Sequence, residues 1–183
     1  RRSILTEKIS RRGYHLSREY AVDPLERLFV KDVMRPEVRT VRVDAPAGVV
    51  AGLVDGPDRR LPALTPVVDA DGQLVGVVTR GDLELAAARE HADGNSTDLR
   101  EIVRRDPVAA HPEETLRTVV QRMAVTGLTR LPVVDGRGRP VSLISLTDML
   151  RARARVVEEE QRRERVLAVG QLLPRPGRRA ASS

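Results

Sequence analysis

Two pairs of polar residues have the types and the spacing needed to bind a nucleotide. They are Thr79-x-x-Asp82 and Ser145-x-x-Asp148, and each lies where a predicted strand runs into a predicted helix. A helix start attracts anions through its free N–H groups and its dipole. There a hydroxyl can donate a hydrogen bond to phosphate, and a carboxylate can accept hydrogen bonds from ribose hydroxyls. The same spacing is close to a capping box, which would stabilise the helix start without a ligand. One residue can do both.

No other arrangement in the sequence is typical of catalysis or of metal binding. The chain has no cysteine, and it lacks the GxxxxGK[ST], GxGxxG and HExxH motifs. Its three histidines, His15, His91 and His111, are far apart in the sequence and fall in different predicted elements. We therefore expect no catalytic residue and no metal ligand, and a binding module in place of an enzyme. A nucleotide-processing enzyme is the least favoured alternative.

Both candidate pairs belong to a segment that occurs twice. Residues 66–83, PVVDADGQLVGVVTRGDL, align without a gap on residues 132–149, PVVDGRGRPVSLISLTDM, and seven of the 18 positions are identical. Each copy predicts a strand, a tight turn, a second strand and a helix. The predicted bounds are Thr65–Asp69, Leu74–Thr79 and Arg80–His91 in the first copy, and Leu131–Asp135, Pro140–Ser145 and a helix from Leu146 in the second.

A short extended piece and a further helix precede each copy. They are predicted at Val38–Val43 and Pro46–Val54, the latter with Asp44 as its N-cap, and at Pro107–Ala110 and from Pro112 to a C-cap at Gly127. The fold class is therefore α+β: two pseudo-symmetric β-α-β-β-α units that pack as one module around a shared core, with a cleft between them. A long C-terminal helix is predicted to continue to about Val169. Its charged middle favours exposure to solvent or pairing with a partner helix.

The charge of the chain lies mainly at its two ends. The formal net charge is +6, but residues 1–18 carry +5 and residues 171–183 carry +3, which leaves −2 for residues 19–170. Nucleic-acid binders usually carry positive charge on a folded face and often add stacking aromatic residues. Here the folded part is near neutral, and aromatic residues make up 2% of the chain. We expect no nucleic-acid partner, an aliphatic core and a disordered basic tail.

The repeat and the segments before it resemble a known family. The two 18-residue segments are similar to the second halves of CBS motifs, Lys31–Pro36 (KDVMRP) resembles the opening of a first motif, and Leu99–Val108 matches a second opening more loosely. The resemblance implies a tandem CBS pair, a regulatory module that commonly forms homodimers and often binds adenine nucleotides. It implies ATP, ADP or AMP as a regulatory ligand and no obligatory cofactor.

The resemblance also assigns a nucleotide site. The family signature G-h-h-[ST]-x-x-D matches both candidate pairs, but its glycine, Gly76 in the first copy, is replaced by Ser142 in the second. That substitution predicts a less close approach of phosphate in the second copy. In such modules adenine is held by the first strand and by the loop before the second strand. The implied nucleotide-binding residues are Thr40, Val41, Ala63, Thr79, Asp82, Val108, Thr129, Ser145 and Asp148.

The residues before the first copy resemble one group of host proteins. SILTEKISRRG at residues 3–13 and YAVDPLE at residues 20–26 are similar to the linker after the last membrane helix of bacterial CLC chloride channels and transporters. This implies a transmembrane transport domain earlier in the same chain and a location at the cytoplasmic face of the cell membrane, where basic flanks are usual. A free-standing nucleotide sensor and the regulatory tail of a divalent-cation transporter are the alternatives.

These observations predict six segments along the chain. They are a basic juxtamembrane-like linker over residues 1–29, a first CBS motif over 30–92, a linker over 93–98, a second CBS motif over 99–153, a helical extension over 154–170 and a basic tail over 171–183.

Overall fold

The structure, a computed structural model, describes residues 23–35, 38–45, 63–94 and 98–172. In chain order its elements are helix α1 (Pro24–Arg27), a 3₁₀ turn (Val30–Asp32), strands β1 (Val41–Arg42), β2 (Leu64–Val68) and β3 (Leu74–Thr79), helices α2 (Arg80–Asp93) and α3 (Leu99–Ile102), strand β4 (Arg104–Arg105), helix α4 (Leu116–Thr126), strands β5 (Arg130–Val134) and β6 (Pro140–Ser145), and helix α5 (Leu146–Leu172). This mixed architecture with its long C-terminal helix confirms the predicted α+β class.

The two hairpins have the same geometry, as the repeat predicts. β2 pairs antiparallel with β3, and β5 pairs antiparallel with β6. In each turn one aspartate carboxylate, of Asp69 or Asp135, accepts hydrogen bonds from two backbone N–H groups. Gly72 and Gly138 follow with φ of +79° and +76°, a conformation that favours glycine. β3 and β6 begin and end as predicted, whereas β2 and β5 lie one residue earlier than predicted.

The predicted extended pieces before each copy are short. β1 pairs parallel with β2, with Val41 opposite Val67, and belongs to a four-stranded sheet in the order β1-β2-β3-β4. In the second copy the corresponding contact is a single parallel bridge between Ala110 and Val133. Among the described residues, the two halves are therefore related in pairing, with a two-residue edge strand in the first and a single bridge in the second.

Helix α4 begins later than the sequence predicts. It begins at Leu116, with Thr115 as its N-cap, and not at Pro112. The residues between them form a turn in which the Glu114 carboxylate accepts a hydrogen bond from the His111 N–H and pairs with Arg122 of α4. The prediction of a helix from Pro112 was wrong because these side-chain bonds hold the chain in a separate turn.

The other helix ends agree more closely with the predictions. Gly127 closes α4 with φ of +70°, so the predicted C-cap is confirmed. α2 begins at Arg80 as predicted and continues two residues past His91, and α5 begins at Leu146 and ends at Leu172, beyond the predicted Val169.

The buried aliphatic residues of the described chain form two clusters, and not the single shared core that we expected. One cluster contains Val67 and Val78 of the first hairpin together with Leu99, which precedes the second copy. The other contains the second hairpin and α4 together with Leu25 and Val30, which precede the first copy. Each half therefore buries its hydrophobic surface against the opening segment of the other half, and this exchange joins the halves into one module.

Backbone hydrogen bonds reinforce the exchange. The Val30 N–H donates to the Glu114 carbonyl at 2.9 Å, and the Leu116 N–H donates to the Leu28 carbonyl at 2.9 Å. The two hairpins also meet directly, because the Leu74 N–H donates to the carbonyl of Gly138 at 2.9 Å.

The charged middle of α5 has a partner within the same chain. Asp23, the N-cap of α1, accepts a hydrogen bond from Arg153 at 3.2 Å, and Arg27 of α1 pairs with Glu160 at 3.2 Å. The short helix α1 is therefore the partner helix of this face of α5.

Several predictions fall on residues that the structure does not describe. They concern the helix at Pro46–Val54, the linker residues 95–97, the basic segment 1–22 and the tail from residue 173. In the described part of the chain, none of the helices combines the length and the apolar character that a membrane crossing requires.

Candidate functional site

Each hydroxyl–acid pair caps the helix that follows it. The Asp82 N–H donates to the Thr79 hydroxyl at 3.2 Å, and the Thr79 N–H donates to the Asp82 carboxylate at 2.9 Å. At the second helix start the Asp148 N–H donates to the Ser145 hydroxyl at 3.1 Å, and that hydroxyl donates to the carboxylate at 2.6 Å. The capping interpretation of both motifs is thus confirmed. Capping uses mainly Oδ2 of each acid, so the Oδ1 atoms decide what else each site can bind.

At the first helix start, Oδ1 of Asp82 is already engaged. Arg104 of β4 donates from Nη2 to Oδ1 at 2.9 Å and from Nε to Oδ2 at 3.1 Å, a two-point ion pair. These bonds, with those from Thr79, lower the pKa of Asp82 to about 2. Because a two-point arginine pair is among the stronger charge-assisted contacts, a ligand at Asp82 has to compete with Arg104.

At the second helix start the corresponding contact is weaker. Arg35 donates from Nη2 to Oδ1 of Asp148 at 3.4 Å, and the Arg35 side chain is 72% exposed. Asp148 therefore has an acceptor oxygen that a ligand can reach by displacing a single long contact.

Sequence reasoning missed both arginines. Arg35 and Arg104 each lie three residues after an acid, Asp32 or Glu101, in the opening segments that precede the two copies. That shared spacing could have drawn attention to the two arginines in the sequence. The exchange of segments, which brings each arginine to the opposite copy, was not visible in the sequence.

The signature glycine serves packing between segments. A Cβ on Gly76 would lie 2.5 Å from Cγ2 of Val103 and 2.7 Å from the Arg104 carbonyl oxygen, so a side chain there would block the pairing of β3 with β4. In the second copy the buried Ser142 hydroxyl donates to the backbone carbonyl of Arg35. Our explanation of this glycine by phosphate approach alone was therefore incomplete. In both copies, this position determines how the segment that carries the arginine, Arg104 or Arg35, packs on the hairpin.

The residues predicted to hold adenine fall into two groups by their position in the fold. The backbone carbonyls of Ala63 and Thr129 accept hydrogen bonds from the first N–H of α2 and of α5, at 3.3 and 2.9 Å, so both residues adjoin the helix starts. Val41 is buried in the first cluster and Val108 packs against the second, whereas Thr40 is exposed immediately before β1.

An open cleft of about 540 Å³ lies beside the second helix start. It is lined by Val33, Arg35, Asp148, Arg151, Ala154, Arg155 and Glu158. The structure thus brings Asp148 together with three arginines, two of them from α5. Within the described ranges no group of three or more histidine, aspartate or glutamate residues is placed to hold a metal ion.

Comparison with known proteins establishes the class to which this molecule belongs. The CBS domain profile matches residues 30–88 and 99–155, which is more than half of the chain. The chain belongs to the CBS domain family and carries a tandem CBS pair.

Individual relatives are diverse. A homoserine O-acetyltransferase of Methanococcoides burtonii is 34% identical over 122 residues, which cover 67% of this chain but only 23% of that protein. Among solved structures, the CBS domain pair of protein MJ0100 in complex with 5′-methylthioadenosine and S-adenosyl-L-methionine is 26% identical, with a TM-score of 0.55, and covers 68% of this chain and 94% of that one. The cytosolic domain of the Mg²⁺ channel MgtE in complex with ATP is 30% identical, with a TM-score of 0.54, and covers 65% of this chain and 46% of that one.

Proposed function

We propose that this CBS pair is a regulatory module that senses an adenine nucleotide and thereby modulates ion transport. The observation that carries the proposal is Asp148: it lies at a helix start, lines an open cleft, and keeps Oδ1 behind one 3.4 Å contact from Arg35. Support also comes from the two related structures above, one in complex with S-adenosyl-L-methionine and one with ATP. The activity that we propose is binding and not catalysis.

We assign the second copy as the main site. Asp148 accepts hydrogen bonds from the ribose, the Ser145 hydroxyl and the start of α5 face the phosphates, and Thr129 and Val108 border the base. The first copy uses Thr79, Asp82, Thr40, Val41 and Ala63 in the same roles, with a lower affinity because Arg104 competes for Asp82.

The binding experiment uses two matched substitutions. Asparagine keeps a carbonyl that can accept a backbone hydrogen bond, so Asp148→Asn removes the charge while preserving much of the cap. We expect it to bind ATP, ADP or AMP about 10- to 150-fold more weakly by calorimetry, with a melting temperature close to that of the parent. Asp82→Asn is the matched variant in the first copy and should have a smaller effect on affinity. If both variants bind as tightly as the parent, the two acids are only caps.

The host that we favour is a bacterial CLC chloride channel or chloride/proton antiporter, with this module at the cytoplasmic face of the membrane and in the same chain as the transport domain. The resemblance of residues 3–26 supports it. A Mg²⁺ transporter is the second candidate, because the ATP complex of the MgtE cytosolic domain is 30% identical to this chain. The upstream reading frame distinguishes them from a free-standing sensor: ten or more apolar spans before Arg1 support the chloride host, and none supports the free sensor.

We also propose that the module forms a homodimer, the commonest symmetric assembly. Exposed aliphatic side chains on α2, α4 and α5, namely Leu85, Val125 and Leu150, provide apolar surface for it. Light scattering at micromolar concentration should report twice the 20.2 kDa chain mass. A species of single-chain mass would contradict the dimer.

A further inference from the structure

The cleft beside α5 contains positive charge that neither the fold nor the capping of the helix uses. Arg151 and Arg155 follow Asp148 by three and seven residues, so all three lie on one face of the helix. Both arginines are exposed, and neither forms an ion pair or a hydrogen bond with another described residue. Their neighbour Arg153 faces away and binds Asp23.

The position of these arginines matches an extended anion. From Asp148 to Arg155 the helix rises about 10 Å, at 1.5 Å per residue. A single phosphate would lie at the start of α5, where the helix N–H groups and dipole favour anions. The Ser145 hydroxyl can donate to that phosphate only by exchanging its hydrogen bond to Asp148. Further phosphates that continue along the cleft would meet Arg151 and then Arg155, whose guanidinium groups are suited to phosphate oxygens. Glu158 closes the far end with a negative charge.

The first copy does not repeat this arrangement. The position equivalent to Arg151, 66 residues earlier, is Leu85, and the position equivalent to Arg155 is Arg89. The paired arginines are thus a property of the second copy and of the long helix α5.

We propose that the α5 cleft is a polyphosphate subsite, which makes the module selective for nucleoside triphosphates and diphosphates over monophosphates. This inference rests on the proposed function, since the ribose is placed on Asp148.

The test is calorimetry on the full chain with ATP, ADP, AMP, adenosine and inorganic tripolyphosphate, at low salt and without magnesium so that the phosphates keep their charge. The variants are Arg151→Gln, Arg155→Gln and the double substitution. Glutamine retains helix propensity. Arg89→Gln is the matched control, because it removes an exposed arginine from the equivalent position of the first copy.

We expect the parent to bind ATP at least about tenfold more tightly than AMP. The double variant should lose about tenfold or more in ATP affinity and in tripolyphosphate affinity, while its AMP affinity stays within about threefold; tenfold corresponds to about 1.4 kcal/mol. Arg89→Gln should bind ATP as the parent does. Circular dichroism and the melting temperature of each variant establish that α5 is intact.

The possible failures are distinguishable. If ATP and AMP bind equally well, or if the double variant keeps its ATP affinity, the polyphosphate subsite is wrong while adenine-nucleotide sensing stands. If tripolyphosphate binds through Arg151 and Arg155, ATP binds no better than tripolyphosphate, and AMP and adenosine do not bind, the subsite stands and adenine sensing is wrong. If none of the five compounds binds, both proposals are wrong.

Discussion

The two helix starts of this module share a sequence signature and differ in how an arginine approaches them. At the first, Arg104 comes from a strand, β4, that pairs with β3, and it holds Asp82 at two points. At the second, Arg35 comes from a segment that is anchored through its carbonyl by the Ser142 hydroxyl, and it reaches Asp148 at one point, 3.4 Å away. The two acids have similar exposed fractions, 20% for Asp82 and 21% for Asp148, so they differ in how firmly an arginine holds them and not in burial.

One position of the repeat differs at the place where the two arginine-bearing segments dock. Glycine at 76 leaves room for the backbone of β4, so the arginine segment docks as a strand. At the equivalent position 142, a hydroxyl takes up that room and bonds to the segment in a different way. The two arginine-bearing segments therefore dock in different ways, although the signature acid is the same in both copies.

The most demanding test of this comparison is Gly76→Ser, which makes the first copy resemble the second. The new Cβ cannot remain 2.5 Å from Val103 and 2.7 Å from the Arg104 carbonyl oxygen, so β4 must move. We expect the free energy of unfolding to fall by about 1–3 kcal/mol, measured by urea denaturation. Gly136→Ser is the control, because nothing lies within 4 Å of a Cβ there. Unchanged stability of Gly76→Ser would refute the packing role of this glycine.

The next test compares the arginines directly. Arg104→Gln should lower stability by about 1 kcal/mol, since its two-point contact lies partly in solvent, and Arg35→Gln should lower it by about 0–0.5 kcal/mol. Double-mutant cycles with Asp82→Asn and Asp148→Asn isolate the two pair energies. Equal coupling energies in the two cycles would contradict the asymmetry.

The pH dependence of stability sharpens the comparison further. The pKa of Asp82 is lowered from 3.8 to about 2, first by the hydrogen bond from Arg104 and then by Thr79. Because the folded pKa lies below the unfolded value, the stabilisation is fully present above 3.8 and is lost as the pH falls through about 2. The Arg104 side chain is 65% exposed, so screening limits this contribution to about 1 kcal/mol. Unfolding free energies measured between pH 5 and 2 should fall less steeply for Asp82→Asn; identical slopes would contradict the prediction.

The smallest expected effect belongs to Ser142→Ala. It removes the hydrogen bond to the Arg35 carbonyl, a single contact between uncharged groups. We expect a loss of about 0.5 kcal/mol, at the lower end for a hydrogen bond, in the same urea experiment. A loss as large as that of Gly76→Ser would mean that the hydroxyl docks its segment as firmly as strand pairing does.

Local chemistry accounts for the parts of the structure that the sequence predicted well. The hairpins follow from short apolar runs, which are almost continuously buried in β2 and β5. They also follow from turns in which an aspartate and a positive-φ glycine recur at one spacing, Asp69 with Gly72 and Asp135 with Gly138. The helix starts follow from the hydroxyl–acid spacing. Each of these signals acts over a few residues, so both copies show it independently.

Structural features that depend on distant residues were predicted less well. The start of α4 was missed because Glu114 bonds to Arg122, on the following helix, rather than beginning a helix itself. The single shared core was wrong because hydrophobic patterning identifies which face is buried and does not say which segment covers it.

The sequence by itself determined that the chain contains two copies of one unit, that each copy is a hairpin followed by a capped helix, and that an acid stands at each helix start. It also determined that the folded part is near neutral and aliphatic. Only the tertiary structure decided which opening segment packs on which copy, and hence that Arg104 meets Asp82 while Arg35 meets Asp148. The physical reason is range: caps and turns are set by neighbours along the chain, whereas these ion pairs join residues 22 and 113 positions apart and form only when both cores have packed.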